Sequence, residues 1–312
     1  MAYKIQKAVI TGATGAIGMA LLGEMIARGI EVTVLLYRDA ARPHHIPSSP
    51  LVRTVDCSLE QLASLPLPTD ERQDVFFHLA WAGTTGDARN DMHLQVANVK
   101  HTLDAVNLAE RMGCHTFVGA GSQAEYGRVE GRLTPSTPTF PENGYGMAKL
   151  CAGQMSRGAC EAKGMRHLWA RILSVYGPYD GEGSLVTSTI RKLLAGEVPS
   201  LTAGEQIWDY LYSADAAKAL LAMVERGEDG HVYCLGGGKE RPLRTYIEAI
   251  RDAVDPKAPL GFGVLPYAPR QVMHLVADLS DLVRDTGFLP NTPFEEGIAQ
   301  TVAWARENPK QT

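Results

Sequence analysis

The sequence predicts an α/β fold: a doubly wound parallel sheet with helices on both faces, joined to a smaller C-terminal lobe. A short β-branched run at residues 8–10 leads through a glycine-rich turn into an apolar pattern with helical spacing at 19–29. Strand-like and helical patterns then alternate as far as residue 177, which is typical of parallel sheets. The 312 residues, 45% of them hydrophobic, are enough to bury such a core.

The alternation can be followed along the chain. Strand-like runs occur at 32–36, 52–55, 74–79, 116–119 and 167–174. The longest helical patterns occur at 92–112 and 145–164. Because a helix between two strands makes them parallel, we expect the carboxyl ends of the strands to meet at one edge of the sheet, where ligands bind.

Beyond residue 177 the regular alternation ends. Helical patterns occur at 185–195 and 214–226, a strand-like run at 231–235, and a Pro/Gly-rich stretch near 256–269. We therefore predict a first domain over residues 1–177 and a smaller lobe over 178–312. Since no low-complexity linker separates them, the two are expected to be interleaved.

Charge and cysteine content exclude several functional classes. A net charge of −5 without runs of like charge argues against nucleic acid and membrane surfaces as partners. The start of the chain lacks the apolar region of a signal peptide, and no apolar run is long enough to span a bilayer. The five cysteines form no Cys-x-x-Cys pair, and His93, His101 and His115 lack zinc-like spacing. We expect a cytoplasmic protein with buried, free thiols and no metal site.

The turn Thr11-Gly12-Ala13-Thr14-Gly15-Ala16-Ile17-Gly18 connects the first strand to the first helix. Gly12 can adopt backbone angles closed to other residues, Gly15 lets a pyrophosphate approach the main chain, and Gly18 lets helix and strand pack closely. The helix N-terminus adds unpaired N–H groups and a positive dipole end. An ordinary glycine-rich turn is the alternative, but the flanking elements favour a Rossmann-type NAD(P)-binding site.

Tyr145 and Lys149 are four residues apart in a helical pattern and therefore share one face. A phenol with a pKa of about 10 is a poor base near neutrality, but a lysine ammonium and a nicotinamide cation both favour its ionised form. Ser122 follows the strand at 116–119 and can hydrogen-bond the oxygen that Tyr145 protonates. We predict these three as the catalytic residues, although a chance tyrosine–lysine pair on one helix is common.

With these residues in place, the chain resembles the extended short-chain dehydrogenases/reductases of the epimerase and dehydratase group. Further motifs that carry the resemblance are His78-Leu79-Ala80-Trp81, Asn98-Val99 with Thr102, Asp56, Tyr126-Gly127, Tyr176-Gly177-Pro178 and the stretch 204–215. The resemblance implies a dinucleotide-binding first domain and a C-terminal lobe for a nucleotide-linked sugar. It also implies a homodimer formed through the helices at 92–112 and 145–164.

The glycine turn and the resemblance together imply the ligand contacts. Those for the cofactor are Gly12, Thr14, Gly15, Ala16, Ile17, Gly18, Arg38, Asp56, Cys57, Leu79, Ala80, Trp81, Asn98, Tyr145 and Lys149. Those for the substrate are Ser122, Gln123, Ser174, Trp208 and Arg270. Trp208 replaces a phosphate-binding arginine of the family, so it either stacks on the ligand or packs in the core. Arg270 matches the family's second phosphate arginine.

The range of possible reactions can be narrowed by the acid, base and thiol side chains that this chain lacks beside Ser122. Nucleotide-sugar 4,6-dehydratases carry an Asp-Glu pair directly after the catalytic threonine, where this chain has Gln123 and Ala124. Neither side chain transfers a proton usefully, so dehydration is disfavoured. Enzymes resembling GDP-fucose synthase have a cysteine where this chain has Ala124. Because that cysteine is missing here, epimerisation of the carbons beside the ketone is also disfavoured. A keto-sugar reductase or a 4-epimerase remains.

The second strand ends Leu35-Leu36-Tyr37-Arg38, with no acid until Asp39. An aspartate at the strand end binds the ribose of NAD, whereas a basic residue accommodates the 2′-phosphate of NADP. We therefore favour NADP(H), and with it a reductase of a 4-keto (deoxy)hexose, similar to nucleotide-sugar 4-ketoreductases such as CDP-abequose synthase. If Arg38 is only a solvated loop residue, an NAD-retaining 4-epimerase is the alternative. A non-catalytic NAD(P) sensor is a third reading.

Overall fold

The computed structural model describes residues 3–37, 46–66 and 72–309. Its first half contains the strands and helices that the sequence predicts. In chain order the elements are β1 Lys7–Thr11, α1 Ala16–Ala27, β2 Glu31–Leu36, β3 Val52–Asp56, β4 Val75–His78, α2 Met92–Arg111, β5 Thr116–Ser122, α3 Gly144–Ala162 and β6 Arg166–Ile172. Short 3₁₀ helices occur at Leu59–Ser64, Gly86–Asn90 and Gln123–Glu125. However, among the described residues no α-helix separates β2, β3 and β4.

The second half is less regular. Its elements are β7 Val175–Tyr176, α4 Leu185–Leu194, β8 Ile207–Trp208, β9 Leu211–Tyr212, α5 Ser213–Arg226, β10 Val232–Leu235, β11 Arg241–Pro242, α6 Leu243–Val254, β12 His274–Leu275, α7 Ser280–Thr286 and α8 Phe294–Glu307. None of the helices in the described part of the chain is long and apolar enough to cross a membrane.

The main sheet is parallel throughout. Within the described residues it has seven strands in the order β10-β6-β5-β4-β1-β2-β3. One buried cluster joins this sheet to α1 and α5, and another joins it to α2 and α3, so helices cover both faces. The predicted doubly wound α/β fold is therefore confirmed. The strand order reverses between β1 and β4, and the crevice at their carboxyl ends is where such sheets bind ligands.

The smaller lobe lies beyond the carboxyl edge of the sheet. Strands β11, β8 and β12 form one short sheet, β7 pairs with β9, and α4, α6 and α8 enclose an aromatic-rich cluster around Tyr176, Tyr246 and Phe294. The chain also returns to the first domain, because β10 pairs with β6 and α5 packs on α1. These contacts agree with interleaved lobes, and the division of the chain at residue 177 stays a prediction.

Candidate functional site

The turn between β1 and α1 has the geometry that a dinucleotide requires. Gly12 has φ +76°, and a Cβ there would lie 2.6 Å from the main-chain nitrogen of Ala80. A Cβ on Gly18 would lie 2.1 Å from the carbonyl oxygen of Gly12, so only glycine lets the helix start so close to the strand. Gly15, the N-cap of α1, faces open space and has no side-chain cap. A pyrophosphate fits this open helix N-terminus.

The loop after β4 is tied to this turn. The hydroxyl of Thr11 accepts a hydrogen bond of 3.3 Å from the N–H of Ala80. Asn98 on α2 accepts from the N–H of Ala82 at 3.0 Å and donates to the carbonyl of the same residue at 2.9 Å. Because Asn98 is buried, its predicted contribution to cofactor binding would be to hold this loop in place.

The remaining predicted cofactor residues that the structure describes lie at the same carboxyl edge. Thr14, Ala16 and Ile17 belong to the turn and the start of α1. Asp56 is the exposed last residue of β3, and Cys57 after it is buried. Arg38, on which the preference for NADP depends, lies outside the described residues, as does Asp39. The roles of all these residues stay predictions.

Ser122 and Tyr145 meet where β5 ends and α3 begins. Ser122 is the last residue of β5, and its hydroxyl accepts a hydrogen bond from the N–H of Ala124 at 3.2 Å. A Cβ on Gly146 would lie 2.2 Å from the carbonyl oxygen of Ala124, so glycine allows the start of α3 to contact this segment. Burial raises the pKa of Tyr145, while a hydrogen bond with Ser122 opposes the rise.

Lys149 is buried beneath Tyr145. Its ammonium donates to the carbonyl oxygen of Ala120 at 2.7 Å and lies 3.6 Å from the ring centroid of Trp81. Burial lowers the pKa of Lys149 to about 7. The expected lowering of the Tyr145 pKa is not found in the protein alone: burial raises this pKa, and the groups that oppose the rise are Ser122 and Arg89 rather than Lys149.

Sequence reasoning missed two charged side chains at this site. The guanidinium of Arg89 stacks on the Tyr145 ring at 4.2 Å and opposes the rise in the pKa of the phenol. Glu125 lies fully buried behind Ser122 and accepts a hydrogen bond from its N–H at 2.8 Å. The Ser-x-x-Glu spacing of a helix capping box could have indicated Glu125. No local pattern indicated Arg89.

The predicted substrate residues divide into two groups. Ser122 and Gln123 lie at the end of β5, whereas Ser174, between β6 and β7, contacts Trp208 of β8. The indole N–H of Trp208 donates to the hydroxyl of Ser174 at 2.7 Å, and its ring packs among core residues. Arg270 is exposed. The pKa of Glu142, just before α3, is lowered mainly by its hydrogen bond with Arg128 and less by the charge of Arg270.

Two other expectations concern thiols and metals. Cys57, Cys114, Cys160 and Cys234 are buried and free, but Cys151 on α3 is exposed, so the expectation of a buried thiol is wrong there. Away from the site, one His/Asp/Glu group brings three ligand atoms within 4.8 Å of one another: Glu228, His231 and Asp285. The carboxylate of Asp285 already accepts a hydrogen bond of 2.8 Å from the hydroxyl of Tyr233, and we assign no metal to this group.

The chain is similar to known proteins in sequence. The model of the family described as NAD dependent epimerase/dehydratase family matches residues 8–236. The dTDP-glucose 4,6-dehydratase of Xanthomonas campestris pv. campestris (strain ATCC 33913) is 29% identical over 209 residues, which are 64% of this chain and 60% of that enzyme. The chain thus matches less than two thirds of the length of that curated relative.

Solved structures that are similar in fold cover nearly the whole chain, and two of them illustrate this. The UDP-N-acetylglucosamine 4-epimerase from Methanobrevibacter ruminantium M1, in complex with UDP-N-acetylmuramic acid, has a TM-score of 0.87 at 23% identity, over 98% of this chain and 99% of that one. RMD from Pseudomonas aeruginosa, complexed with NADPH, has a TM-score of 0.80 at 21% identity, over 97% and 99%. At these identities the likeness concerns the fold.

Proposed function

The chain belongs to the NAD dependent epimerase/dehydratase family, and we propose that it is an NADP(H)-dependent reductase of a 4-keto (deoxy)hexose carried by a nucleotide. The observation that supports this most is the meeting of Ser122, Tyr145 and Lys149 at the end of β5, beside the loop of Ala80 and Trp81 that contacts the glycine turn. These residues are what reduction of a ketone requires. A further acid or base is not needed.

The bound nicotinamide would supply the hydride that reaches the carbonyl carbon. Tyr145 donates its phenolic proton to the carbonyl oxygen, so the ketone becomes an alcohol and the phenol becomes a phenolate. Ser122 donates a hydrogen bond to the same oxygen and stabilises the charge that develops on it. Lys149 and Arg89 place positive charge near the phenolate and favour its formation.

The burial and hydrogen bonding of Glu125 support reduction rather than dehydration as the reaction. Elimination of water requires an acid and a base beside the reacting sugar, and Glu125 is the nearest carboxylate to Ser122 in the chain. Both of its oxygens are engaged: one accepts from Ser122 and Trp169, and the other from Arg171. A fully buried carboxylate held in this way is not available to a substrate.

The choice of cofactor rests on Arg38. The family is described as NAD dependent, while the similar RMD structure holds NADPH, so the comparisons support NAD(P) without selecting one. We propose NADP(H) because the end of β2 has a basic residue and no acid before Asp39.

A panel assay tests the reductase. The purified protein would be mixed with NADPH and with 4-keto-6-deoxyhexoses linked to dTDP, CDP, GDP or UDP, and NADPH oxidation followed by near-ultraviolet absorbance. We expect turnover with at least one donor nucleotide and none in Tyr145→Phe. Tight binding of NADPH without turnover of any sugar would instead support a sensor.

A 4-epimerase is the second candidate, because a similar structure is that of a UDP-N-acetylglucosamine 4-epimerase. Such an enzyme oxidises and re-reduces one carbon and keeps its cofactor. If the purified protein carries bound NAD, ignores added NADPH and interconverts two 4-epimers, the reductase proposal is wrong and the epimerase is right.

A further inference from the structure

The carboxylate of Glu125 is held by three donors in the interior of the protein. One oxygen accepts from the main-chain N–H of Ser122 at 2.8 Å and from the indole N–H of Trp169 at 3.0 Å. The other accepts from the guanidinium of Arg171 at 2.7 Å. Since Glu125 is 0% exposed and Arg171 is 4% exposed, this ion pair is almost completely buried.

The indole of Trp169 lies in a slot lined by glycines. A Cβ on Gly119 would lie 2.1 Å from the indole ring, and one on Gly121 would lie 2.3 Å from its nitrogen. Gly153 on α3 closes the other side, where a Cβ would lie 2.7 Å from the ring. Any side chain at these positions would displace the indole that donates to Glu125.

Arg171 is anchored as firmly as its partner. It also donates to the carbonyl oxygen of Pro135 at 3.1 Å and stacks on the Tyr126 ring at 4.5 Å. A buried ion pair is costly to form and contributes little net stability, whereas removal of one partner is strongly destabilising. Replacement of a buried ion pair by apolar residues is often neutral or stabilising, so stability alone does not account for the carboxylate.

The position of Glu125 relative to the catalytic group suggests its role. Its carboxylate oxygen lies 2.5 Å from where a Cβ of Gly121 would be, and the preceding residue, Ala120, accepts the hydrogen bond of Lys149. The next residue is Ser122. One carboxylate therefore lies beneath the main chain that holds both the serine and the lysine.

We propose that Glu125 is a positioning residue of this active site, whose carboxylate, anchored by Trp169 and Arg171, holds the main chain of Ser122 and places a negative charge beneath Lys149. The inference rests on the proposed function, because it assumes that Ser122 and Lys149 act on substrate and cofactor. The proposal assigns a role in the active site to a fourth residue, besides the catalytic serine, tyrosine and lysine.

The charged and titratable groups around Lys149 support this reading. His78 on β4 is neutral, since burial and the nearby ammonium lower its pKa to about 3. Tyr145 is a neutral phenol with a raised pKa, and Arg89 beyond it is a cation. Among the described residues, Glu125 is thus the anion whose charge raises the pKa of Lys149 against the effect of burial.

Lysine NMR tests the proposal without a substrate. The ε-carbons of lysine would be labelled with ¹³C, and the Lys149 signal assigned by its loss in Lys149→Arg. In the wild type we expect Lys149 to titrate near neutral pH, well below the solvent-exposed lysines. In Glu125→Gln the midpoint should fall by about one pH unit, as loss of a nearby opposite charge predicts. Amide exchange of the peptide that contains Ser122 should become faster.

Two further variants keep the test decisive. If Glu125→Gln fails to fold because Arg171 loses its partner, the double variant Glu125→Gln/Arg171→Gln removes both charges and should show a smaller fall of the midpoint, because a cation near Lys149 is lost together with the anion. Asp74→Asn is the matched control, because that carboxylate also accepts main-chain N–H groups, from Gln6 and Lys7, at the opposite edge of the sheet. It should leave the Lys149 midpoint unchanged.

An unchanged midpoint in both Glu125 variants, an equal shift in Asp74→Asn, or a wild-type Lys149 that titrates with the exposed lysines would overturn the proposal. If a keto-sugar substrate is found, Glu125→Gln should lower kcat more than it changes KM. A shifted midpoint without turnover of any sugar would refute the proposed reaction and leave the positioning role of Glu125 intact.

Discussion

The phenolic oxygen of Tyr145 carries the proton in the proposed reaction, so its removal gives the sharpest prediction at the residue scale. Tyr145→Phe keeps the ring that contacts Trp81 and Arg89 and loses only the hydroxyl. General acid catalysis contributes about 10²–10⁴-fold to rate, and turnover should fall by at least that much. NADPH affinity, measured by fluorescence titration, should stay within about threefold of the wild type, because Tyr145→Phe leaves the glycine turn unchanged.

Tyr233→Phe is the matched control for this experiment. Tyr233 lies on β10, and its hydroxyl donates to Asp285 of α7, neither of which is predicted to bind substrate or cofactor. Loss of this hydroxyl should cost about 1 kcal/mol of stability and leave turnover unchanged. Comparable activity in Tyr145→Phe and Tyr233→Phe would remove Tyr145 from the mechanism.

Arg38 gives the second prediction at this scale. If its guanidinium binds the 2′-phosphate, Arg38→Ala should raise the KM for NADPH by roughly tenfold or more, since a charge-assisted hydrogen bond is worth about 1.5–3 kcal/mol. The KM for NADH, which lacks that phosphate, should hardly change. Steady-state kinetics with both cofactors measure the difference, and equal effects would end the case for NADP.

Functional residues whose role depends on neighbours close in sequence could be predicted. Those whose role depends on contacts between distant parts of the chain could not. Gly12, Gly18 and the Tyr145/Lys149 pair follow from short-range rules about turns and helix faces. Glu125 and Arg171 are 46 residues apart, and their pairing depends on the register of β5 against β6. No single-sequence rule supplies that register, because many alignments bury the same apolar residues.

At the scale of elements, β1, β4 and α2 are joined by a buried histidine. A ring nitrogen of His78 lies 3.0 Å from the hydroxyl of Thr11, and the other lies 3.4 Å from that of Thr102. Burial is the main reason that the pKa of His78 falls to about 3. This neutral imidazole therefore links the strand before the glycine turn to the helix that carries Asn98.

The lowered pKa of His78 predicts acid sensitivity. In the unfolded chain a histidine titrates near 6.5, so between about pH 6.5 and 3 the unfolded state binds a proton that the folded state does not. The free energy of unfolding should fall as the pH decreases through this window, by ~2 kcal/mol at pH 5. His78→Gln should remove this part of the dependence, as urea unfolding at pH 7 and pH 5 would show. If His78→Gln and the exposed control His93→Gln lose equal stability on acidification, His78 is not the group responsible.

The strands that the sequence predicts agree with β2 to β6 within a few residues, whereas the position of β10 could not be foreseen. The pattern at 231–235 indicates a strand, but it falls in the part of the chain where the smaller lobe is expected. The structure adds it beside β6 as an edge of the main sheet. A strand-like pattern predicts that a segment pairs with another strand. Which strand it pairs with depends on the packing of the whole molecule.

At the scale of the whole molecule, α2 and α3 present an apolar surface to solvent. Exposed side chains at helical spacing form it: Met92 and Val96 on α2, and Met147, Cys151 and Met155 on α3. The opposite faces of the two helices pack on the sheet. Clusters of exposed methionine and valine on neighbouring helices are typical of protein interfaces, and the resemblance implies a homodimer at this place.

We expect the protein to be a dimer in solution through this surface. In an isologous interface each substitution occurs twice, so Val96→Glu places two carboxylates in a desolvated contact and should weaken association by several kcal/mol. Light scattering should then give the mass of a monomer for Val96→Glu and of a dimer for the wild type. Val264→Glu is the matched control, because Val264 is 62% exposed against 67% for Val96 and lies outside the two helices. A wild type that stays monomeric at high concentration, or a Val264→Glu variant that dissociates equally, would show that the α2/α3 surface is not the interface.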